Sequence, residues 1–144
     1  MTIDELQDDI IQEFALLDGD LEMSVVYLIE LGQKLPAFNE EARIDSNLVR
    51  GCQSKVWLTA ELRHDKLYFS ADSNTAITKG LASLLIRTFN GHLPDEILSA
   101  EFFFMQKIGM ERFIGTQRSN GFASMIKQMK HYAFAYKTKN SIRA

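Results

Sequence analysis

Cysteine is scarce in this chain of 144 residues, which contains Cys52 and no other. A single thiol excludes an internal disulfide and a paired CxxC redox motif. One copy of the chain cannot bind an iron–sulfur cluster alone, because such clusters take about four thiolates, or imidazoles in their place. Cys52 and the three histidines also lack the clustered spacings of a structural zinc site. The sequence therefore predicts no resident metal.

Long apolar runs and an excess of positive charge are missing as well. No apolar run approaches the roughly 20 residues that span a bilayer, and residues 1–10 lack the cationic and apolar regions of a secretory signal. The formal charge of −3 provides no overall basic field to attract nucleic acid or an anionic membrane. We therefore expect a soluble, cytoplasmic protein with neither nucleic acid nor a membrane as its partner.

Most of the chain carries the apolar spacing of amphipathic helices, and its length and average composition suit one domain over residues 1–144. The predicted helices are residues 3–17, residues 21–34, a helix from Ser73 or Asn74 to residue 90, a short helix that Pro94 begins, and a long final helix that Ser119 or Asn120 opens. Residues 101–114 are rich in Phe and Met and are difficult to divide into elements.

The middle of the chain alternates apolar and polar residues with the period of two that is typical of strands. Three strands are predicted, over residues 47–50, 55–63 and 67–71. They form a small three-stranded antiparallel sheet against which the helices pack, so the predicted fold class is α+β. Cys52 lies in the tight connection between the first two strands, where Gly51 permits an unusual backbone conformation.

The surroundings of Cys52 favour a functional thiol over a packing role. Free cysteine usually packs as a small hydrophobic residue, but a connection between strands normally lies at the surface. The immediate neighbours are not core residues: Gly51, Gln53 and Ser54. The reactive form of a thiol is the thiolate, and Arg50 and Lys55 would raise its fraction if their charges lie near the sulfur.

A histidine base for Cys52 is not evident from the sequence. His64 lies in the turn at the far end of the following strand, roughly 30 Å away for an extended segment of this length. His92 and His131 could approach the thiol only through tertiary folding. This spacing weakens the hypothesis of a Cys–His hydrolase, although a hydrolase, a peroxidase and a pure binding module with a structural cysteine all stay open.

GCQSKVWL at residues 51–58 resembles the active-cysteine motif of the SufE family, whose members accept sulfur from cysteine desulfurases. Three further segments resemble the family in the same order: YLIELGQKLP at residues 27–36, LYFSADSNTAITKGLASLL at residues 67–85 and QRSNGFASMIKQMK at residues 117–130. The chain departs from the family pattern in three details: Asn74 in place of a more usual aspartate, residues 115–117 where a proline is common, and Phe122 in place of leucine. These departures concern partner contacts and not the sulfur chemistry.

The resemblance implies a fold like that of SufE and IscU, and a sulfur-carrier mechanism. A SufS-like cysteine desulfurase would hold sulfur as a persulfide, and Cys52 would attack its terminal sulfur and carry it to a SufBCD-like iron–sulfur scaffold. The pyridoxal phosphate belongs to the desulfurase, and the chain itself would need no cofactor. The resemblance also allows a homodimer, and a CsdE-type acceptor that serves another desulfurase is the alternative within this class.

Roles for the residues around Cys52 follow from the same resemblance. Gly51 would permit the loop conformation, while Gln53 and Ser54 would donate hydrogen bonds to the sulfur or shape the loop. Trp57 is interpreted as a core anchor of the sheet in preference to a wall that shelters the thiol. Because an exposed thiolate oxidises to dead-end acids, we expect the Cys52 side chain to point into an apolar pocket.

Three polar residues complete the predicted site. Arg118 would lie in the turn before the last helix, as a positive charge near the cysteine, a partner contact or a solvated residue. Asp72 and Asn74 would lie beside the cysteine loop, although Asp72 also suits the start of a helix.

Overall fold

The computed structural model describes residues 1–143, with side chains to residue 139. The described chain contains seven α-helices and two strands. In chain order they are α1 (Ile3–Ala15), α2 (Leu21–Gln33), β1 (Val56–Arg63), β2 (Lys66–Ser73), α3 (Ala76–Phe89), α4 (Pro94–Ser99), α5 (Phe104–Lys107), α6 (Met110–Ile114) and α7 (Thr116–Arg143). Two 3₁₀ turns, Glu40–Ala42 and Asp45–Asn47, lie between α2 and β1.

The first helix begins as the sequence predicts. The Thr2 hydroxyl accepts a hydrogen bond from the Glu5 backbone N–H at 3.1 Å, and the Glu5 carboxylate accepts one from the Thr2 N–H at 3.0 Å. This reciprocal pair satisfies two donors that every helix leaves unpaired at its start. Asp20 caps α2 in a similar way, by accepting from the Met23 N–H at 3.0 Å.

β1 and β2 form an antiparallel hairpin that is buried on one face. The register pairs Trp57 with Asp72 and Leu58 with Ala71. Because side chains alternate across a strand, the buried face consists of one set of apolar residues: Val56, Leu58, Leu67, Phe69 and Ala71. The opposite face carries Trp57 and Asp72, neither of which is fully buried.

The predicted third strand is wrong, because residues 47–50 form only one isolated bridge, between Leu48 and Trp57. The Val49 N–H donates to the Val56 carbonyl at 2.8 Å, and no further pairing follows in the described residues. The 3₁₀ turn Asp45–Asn47 precedes this point, and Gly51, with φ of +93°, turns the chain away after it. Two extended residues between two turns are too few for a strand.

Helix α7 covers the edge of β1 beyond this bridge. The Tyr132 hydroxyl donates to the Leu58 carbonyl at 3.1 Å, and the Tyr136 hydroxyl donates to the Ala60 carbonyl at 3.0 Å. Side chains four residues apart lie on the same face of a helix, so consecutive turns of α7 bind alternate carbonyls of the strand. A third strand would need the same carbonyls.

The core lies between the hairpin and the helices, with α3 at its centre. The buried residues belong to almost every element, among them Ile10, Leu28, Leu58, Phe69, Leu81, Leu85, Phe89, Ile97, Phe104, Phe122 and Met129. Helices α2 and α3 pack closely because Gly80 faces Leu28, where a Cβ atom would lie 2.3 Å from the Leu28 carbonyl oxygen.

Two helices begin at other residues than predicted, and the region that was difficult to divide is now defined. Helix α3 begins at Ala76, and Ser73 and Asn74 belong to the strand end and the turn instead of capping the helix. Helix α7 begins at Thr116, earlier than predicted. Residues 101–114 contain two short helices divided at Gly109, which has φ of +65°. None of the helices in residues 1–143 combines the length and apolarity needed to span a bilayer.

Candidate functional site: a half-buried thiol beside a cleft

The cysteine loop, residues 50–55, leaves the end of the Leu48 bridge and returns at β1. Gly51 has a positive φ of +93°, a region that L residues rarely adopt. A Cβ atom at this position would also lie 2.5 Å from the Ser124 hydroxyl oxygen of α7. The positive φ therefore favours glycine at this position, and any side chain here would also have to displace the Ser124 hydroxyl where the loop approaches α7.

Hydrogen bonds from the end of β2 fix the return of the cysteine loop. The Asn74 side-chain oxygen accepts from the Lys55 N–H at 3.1 Å, and the Asn74 N–H donates to the Lys55 carbonyl at 3.2 Å. The Ser73 hydroxyl donates to the same carbonyl at 2.8 Å. Asn74 thus lies beside the cysteine loop and holds its backbone.

Ser54 connects the loop to the start of α3. Its hydroxyl accepts hydrogen bonds from the Thr75 hydroxyl at 3.1 Å and from the Thr78 hydroxyl at 3.4 Å. Gln53 is exposed and lines the cleft described below. Gln53 and Ser54 were predicted either to donate hydrogen bonds to the sulfur or to shape the loop. The Ser54 hydroxyl shapes the loop through its contacts with Thr75 and Thr78, and it forms no hydrogen bond with the Cys52 sulfur.

The Cys52 thiol is half-buried and packs against α7. Its sulfur donates to the Gly121 carbonyl at 3.4 Å, and Gly121 is buried beneath it. Burial raises the pKa of the Cys52 thiol, because a low-dielectric environment disfavours the thiolate. No charged side chain in the described part of the chain offsets this effect, so Arg50 and Lys55 do not activate the thiol in this conformation.

A cleft of about 410 Å³ opens beside the thiol. Its walls come from the cysteine loop, α3 and the α6–α7 junction: Cys52, Gln53, Ser54, Thr78, Leu81, Ile114, Gly115, Thr116, Gln117, Arg118, Gly121 and Met125. A cavity lies beside the thiol, but its lining mixes polar and apolar residues, whereas an apolar pocket was expected.

No histidine and no carboxylate of residues 1–143 lines this cleft. His64 lies in the hairpin turn, and the exposed His131 lies on α7. His92 is buried elsewhere, with Nδ1 3.2 Å from the Phe89 carbonyl and Nε2 3.0 Å from the Met1 carbonyl. A nucleophile paired with a general base is thus not formed around Cys52.

Arg118 was predicted to lie in the turn before the last helix. In the structure it lies within the first turn of α7 instead. Its side chain is exposed, lines the cleft and donates to the Ile114 carbonyl at 3.2 Å. It is therefore a cation beside the cleft that contains the thiol, at the amino end of a long helix whose dipole is also positive there.

Asp72 and Trp57 belong to a separate cluster on the outer face of the hairpin. Asp72 lies in β2, not at a helix start, and pairs with Arg43 at 2.7 Å and Lys79 at 3.4 Å. The Arg43 guanidinium stacks on Trp57 at 4.9 Å and on Phe38 at 5.5 Å. Trp57 is half-buried, lies outside the core and does not line the cleft, so its interpretation as a core anchor is wrong.

Eight of the residues that line the cleft were not predicted for the site, and three of them, Thr78, Gly121 and Met125, lie on the helices α3 and α7. Thr78 and Met125 carry no signal of their own, because their place in the cleft depends on how α3 and α7 pack. Gly121 carries a weak signal, since a glycine inside a helix usually has a packing or functional reason. Here a Cβ atom would lie 3.4 Å from the Cys52 sulfur, at the lower limit of ordinary van der Waals contact, so Gly121 gives the thiol room beside the backbone of α7.

The fold and the site together define an α+β thiol protein without a catalytic dyad in its described residues. The chain belongs to the SufE family, since the family's sequence model, described as an Fe–S metabolism associated domain, matches residues 8–133. This match confirms the resemblance seen in the sequence, and it supports a role in iron–sulfur metabolism.

Similar proteins cover most of the chain. An uncharacterized SufE-like protein of Rhizobium etli is 38% identical over 131 residues, which are 88% of each chain. An uncharacterized SufE-like protein of Rhizobium meliloti is 37% identical, and the match covers 88% of this chain and 93% of that protein. An uncharacterized SufE-like protein of Synechocystis is 36% identical, and the match covers 79% of this chain and 72% of that protein.

The fold also matches a solved structure. The solution structure of a hypothetical protein from Thermus thermophilus has a TM-score of 0.76 and covers 92% of this chain and 96% of its own, at 19% identity. At this low identity the likeness concerns the fold alone, and it confirms the α+β class.

Proposed function

We propose that Cys52 accepts sulfane sulfur from the persulfide of a cysteine desulfurase and delivers it to the scaffold on which iron–sulfur clusters assemble. The observation that carries this proposal is a thiol beside an open cleft that no base of the described chain lines. Sulfur exchange between thiols needs a thiolate and access to it, and no general base or oxyanion site.

The loading step exchanges one sulfur–sulfur bond for another. The Cys52 thiolate attacks the terminal sulfur of the desulfurase persulfide and forms a new S–S bond. The persulfide bond of the desulfurase breaks, and its cysteine leaves as a thiolate that takes up the proton lost by Cys52. No electron is gained or lost overall. Delivery repeats the exchange with a thiolate of the scaffold as the attacking group.

The resting thiol is poorly suited to this attack until its surroundings change. Burial raises the pKa of Cys52, so the thiolate fraction at neutral pH is smaller than for an exposed cysteine. Docking of the desulfurase would move the cysteine loop outward, which exposes the sulfur and lowers its pKa. The same shelter would protect the sulfur from oxidation between donor and scaffold.

The partners complete the proposal. The pyridoxal phosphate that releases sulfur from free cysteine belongs to the desulfurase, and this chain contributes the acceptor sulfur only. The exchange takes place in the cytoplasm, and one copy of the chain suffices, since one thiol accepts one sulfur. A CsdE-type acceptor would have the same Cys52 chemistry with another desulfurase.

Intact-protein mass spectrometry tests the proposal. The chain is incubated with a SufS-type cysteine desulfurase and free cysteine, and its mass is measured without reductant. We expect a gain of one sulfur atom that reduction removes and that Cys52→Ser abolishes. A wild-type chain that gains no sulfur, or a Cys52→Ser chain that still stimulates the desulfurase fully, would refute the carrier function. Hydrolysis of a thioester by the chain alone would favour a thiol hydrolase.

A further inference from the structure

The side-chain hydrogen bonds of the cysteine loop are few. In the part of the chain whose side chains are described, two groups of residues 50–54 form them. The Cys52 sulfur donates to the Gly121 carbonyl, and the Ser54 hydroxyl contacts the start of α3. The backbone of Lys55, where the loop returns, is bound by the end of β2 instead. The contacts of Cys52 and Ser54 therefore have to break when the loop moves the sulfur outward.

The Ser54 hydroxyl belongs to a hydroxyl cluster that consists of Ser54, Thr75 and Thr78. The Thr75 oxygen lies 3.1 Å from the Ser54 oxygen and 2.8 Å from the Thr78 oxygen, and the oxygens of Thr78 and Ser54 are 3.4 Å apart. Thr78 is only 5% exposed and lines the thiol cleft, whereas Thr75 is exposed. The hydroxyl cluster thus connects the cysteine loop to a buried residue of the helix at the centre of the core.

Thr75 occupies the N-cap position of α3, but its hydroxyl does not cap this helix in the described structure. A threonine at an N-cap usually accepts a hydrogen bond from a backbone N–H of the first turn, which stabilises the helix start. Here the hydroxyl contacts Ser54 and Thr78 instead. The start of α3 therefore lacks a contact that its sequence could form, while the cysteine loop gains one.

Loading with sulfur changes the contacts of the loop. In a Cys52 persulfide the terminal sulfur replaces the proton on Sγ, so Sγ no longer donates a hydrogen bond to the Gly121 carbonyl. The terminal sulfur, about 2 Å from Sγ, has room in the cleft of about 410 Å³. Of the two side-chain contacts that hold residues 50–54 in the described chain, the hydroxyl cluster is the one that loading leaves in place.

Resting on the sulfur-acceptor function above, we propose that Thr75 and Thr78 are positioning residues that act through Ser54 and keep the sulfur-loaded loop in its sheltered position. In the unloaded chain the Cys52 thiol shares this task, although a thiol is a weak donor. In the loaded chain the hydroxyl cluster performs it alone. Hydrogen bonds between neutral groups contribute little net free energy, so a docking partner can break this contact.

The survival of a persulfide on Cys52 tests the proposal. Cys52 is first converted to a mixed disulfide with an aromatic disulfide reagent, and hydrosulfide then displaces the aromatic thiolate and leaves a Cys52 persulfide. Intact-protein mass spectrometry follows its loss to dithiothreitol, whose thiolate takes the terminal sulfur and releases the Cys52 thiolate. For Thr75→Val/Thr78→Val we expect this loss to be about fivefold faster than in the wild type. Iodoacetamide alkylation of the unloaded thiol should accelerate at most about twofold, because its own hydrogen bond to Gly121 persists.

Two further double variants separate the hydroxyl cluster from the packing of α3. Thr75→Ser/Thr78→Ser keeps both hydroxyls and should restore the survival of the persulfide to that of the wild type. Ser83→Ala/Thr88→Val is the matched control, since it removes two buried hydroxyls that bond backbone carbonyls within the same helix, away from the thiol cleft. We expect it to change neither the loss of the terminal sulfur nor alkylation.

Equal loss of sulfur from the valine variant and the matched control would overturn the proposal, as would equal acceleration of sulfur loss and of alkylation. Should circular dichroism reveal that the valine variant is unfolded, Thr75→Val alone replaces it, because this side chain is exposed. Its expected acceleration of sulfur loss is about threefold, and no acceleration would overturn the proposal. Failure of the carrier function is distinct, because the wild-type chain would then accept sulfur from hydrosulfide and none from a desulfurase.

Discussion

The Cys52 sulfur combines accessibility to a cleft with a pKa raised by burial. Folding therefore favours the neutral thiol over the thiolate at this position. Because the unfolded chain ionises first as pH rises, the contribution of this thiol to stability is complete below the pKa of the unfolded chain, about 8.5, and is lost as pH rises through the higher folded value.

The pH dependence of alkylation checks this property. We expect the rate of Cys52 modification by iodoacetamide in the folded protein to reach half its maximum above pH 8.5, the approximate value for a free thiol. The same measurement in urea should return a midpoint near that value. A midpoint well below it in the folded state would mean that a cation stabilises the thiolate after all.

Gly51 offers a second test at the scale of one residue. Gly51→Ala introduces both a strained positive φ and a contact with Ser124, and we expect it to lower the free energy of unfolding by about 2–4 kcal/mol. Gly19→Ala is the matched control, since Gly19 has φ of +76° with no atom within 4 Å of a Cβ. It should cost only the backbone strain, about 1–2 kcal/mol. Denaturant unfolding of both variants measures the difference, and equal losses would argue against the close approach of the loop to α7.

At the scale of elements, the site depends on how the hairpin end holds the cysteine loop. The alternation in residues 55–63 and 67–71 predicted β1 and β2, and the motif around Cys52 predicted the loop between the bridge and β1. The absence of a third strand could not be predicted, because it depends on α7 binding the edge of β1 through Tyr132 and Tyr136. The surroundings of Trp57 could not be predicted from the sequence either, because Arg43, which covers its ring, lies in a distant turn.

Substitution of Asn74 tests whether its hydrogen bonds to Lys55 fix the cysteine loop to the end of the hairpin. Asn74→Ala removes the acceptor for the Lys55 N–H, which should destabilise the fold by about 1 kcal/mol and increase both exchange of the Lys55 amide hydrogen and alkylation of Cys52. Asn90→Ala is the control, because the Asn90 side chain accepts from the Phe69 N–H at 2.8 Å on the opposite edge of the hairpin. It should destabilise the fold similarly without the added alkylation, and equal alkylation of both variants would contradict a specific role.

For the whole molecule, the ion pair between α1 and α3 links stability to pH. The hydrogen bond that Arg87 donates is the main cause of the lowered pKa of Glu13. Burial, and after it the hydrogen bond to Glu13, raises the pKa of Tyr27 to about 12. A depressed carboxyl pKa gives stability that is present above the unfolded value, about 4.3 for glutamate, and is lost as pH falls through the folded value.

Glu13→Gln should therefore flatten the acid side of the stability curve. We expect the difference in unfolding free energy between the wild type and this variant to shrink as pH falls below about 4.3. Arg87→Gln, which removes the cation, should reduce the same pH-dependent part. Urea titrations at a series of pH values measure the effect, and a difference that stays constant through this range would assign Glu13 a purely pH-independent role.

The two tyrosines on α7 also affect how the protein behaves in a crowded solution. A ribbon of two strands has exposed edges, and an unprotected edge can recruit the backbone of another chain into a growing sheet. Along β1, hydroxyl groups bind the carbonyls that such a chain would need, at Leu58 and Ala60. The helix that supports the thiol cleft thus also guards the hairpin against intermolecular association.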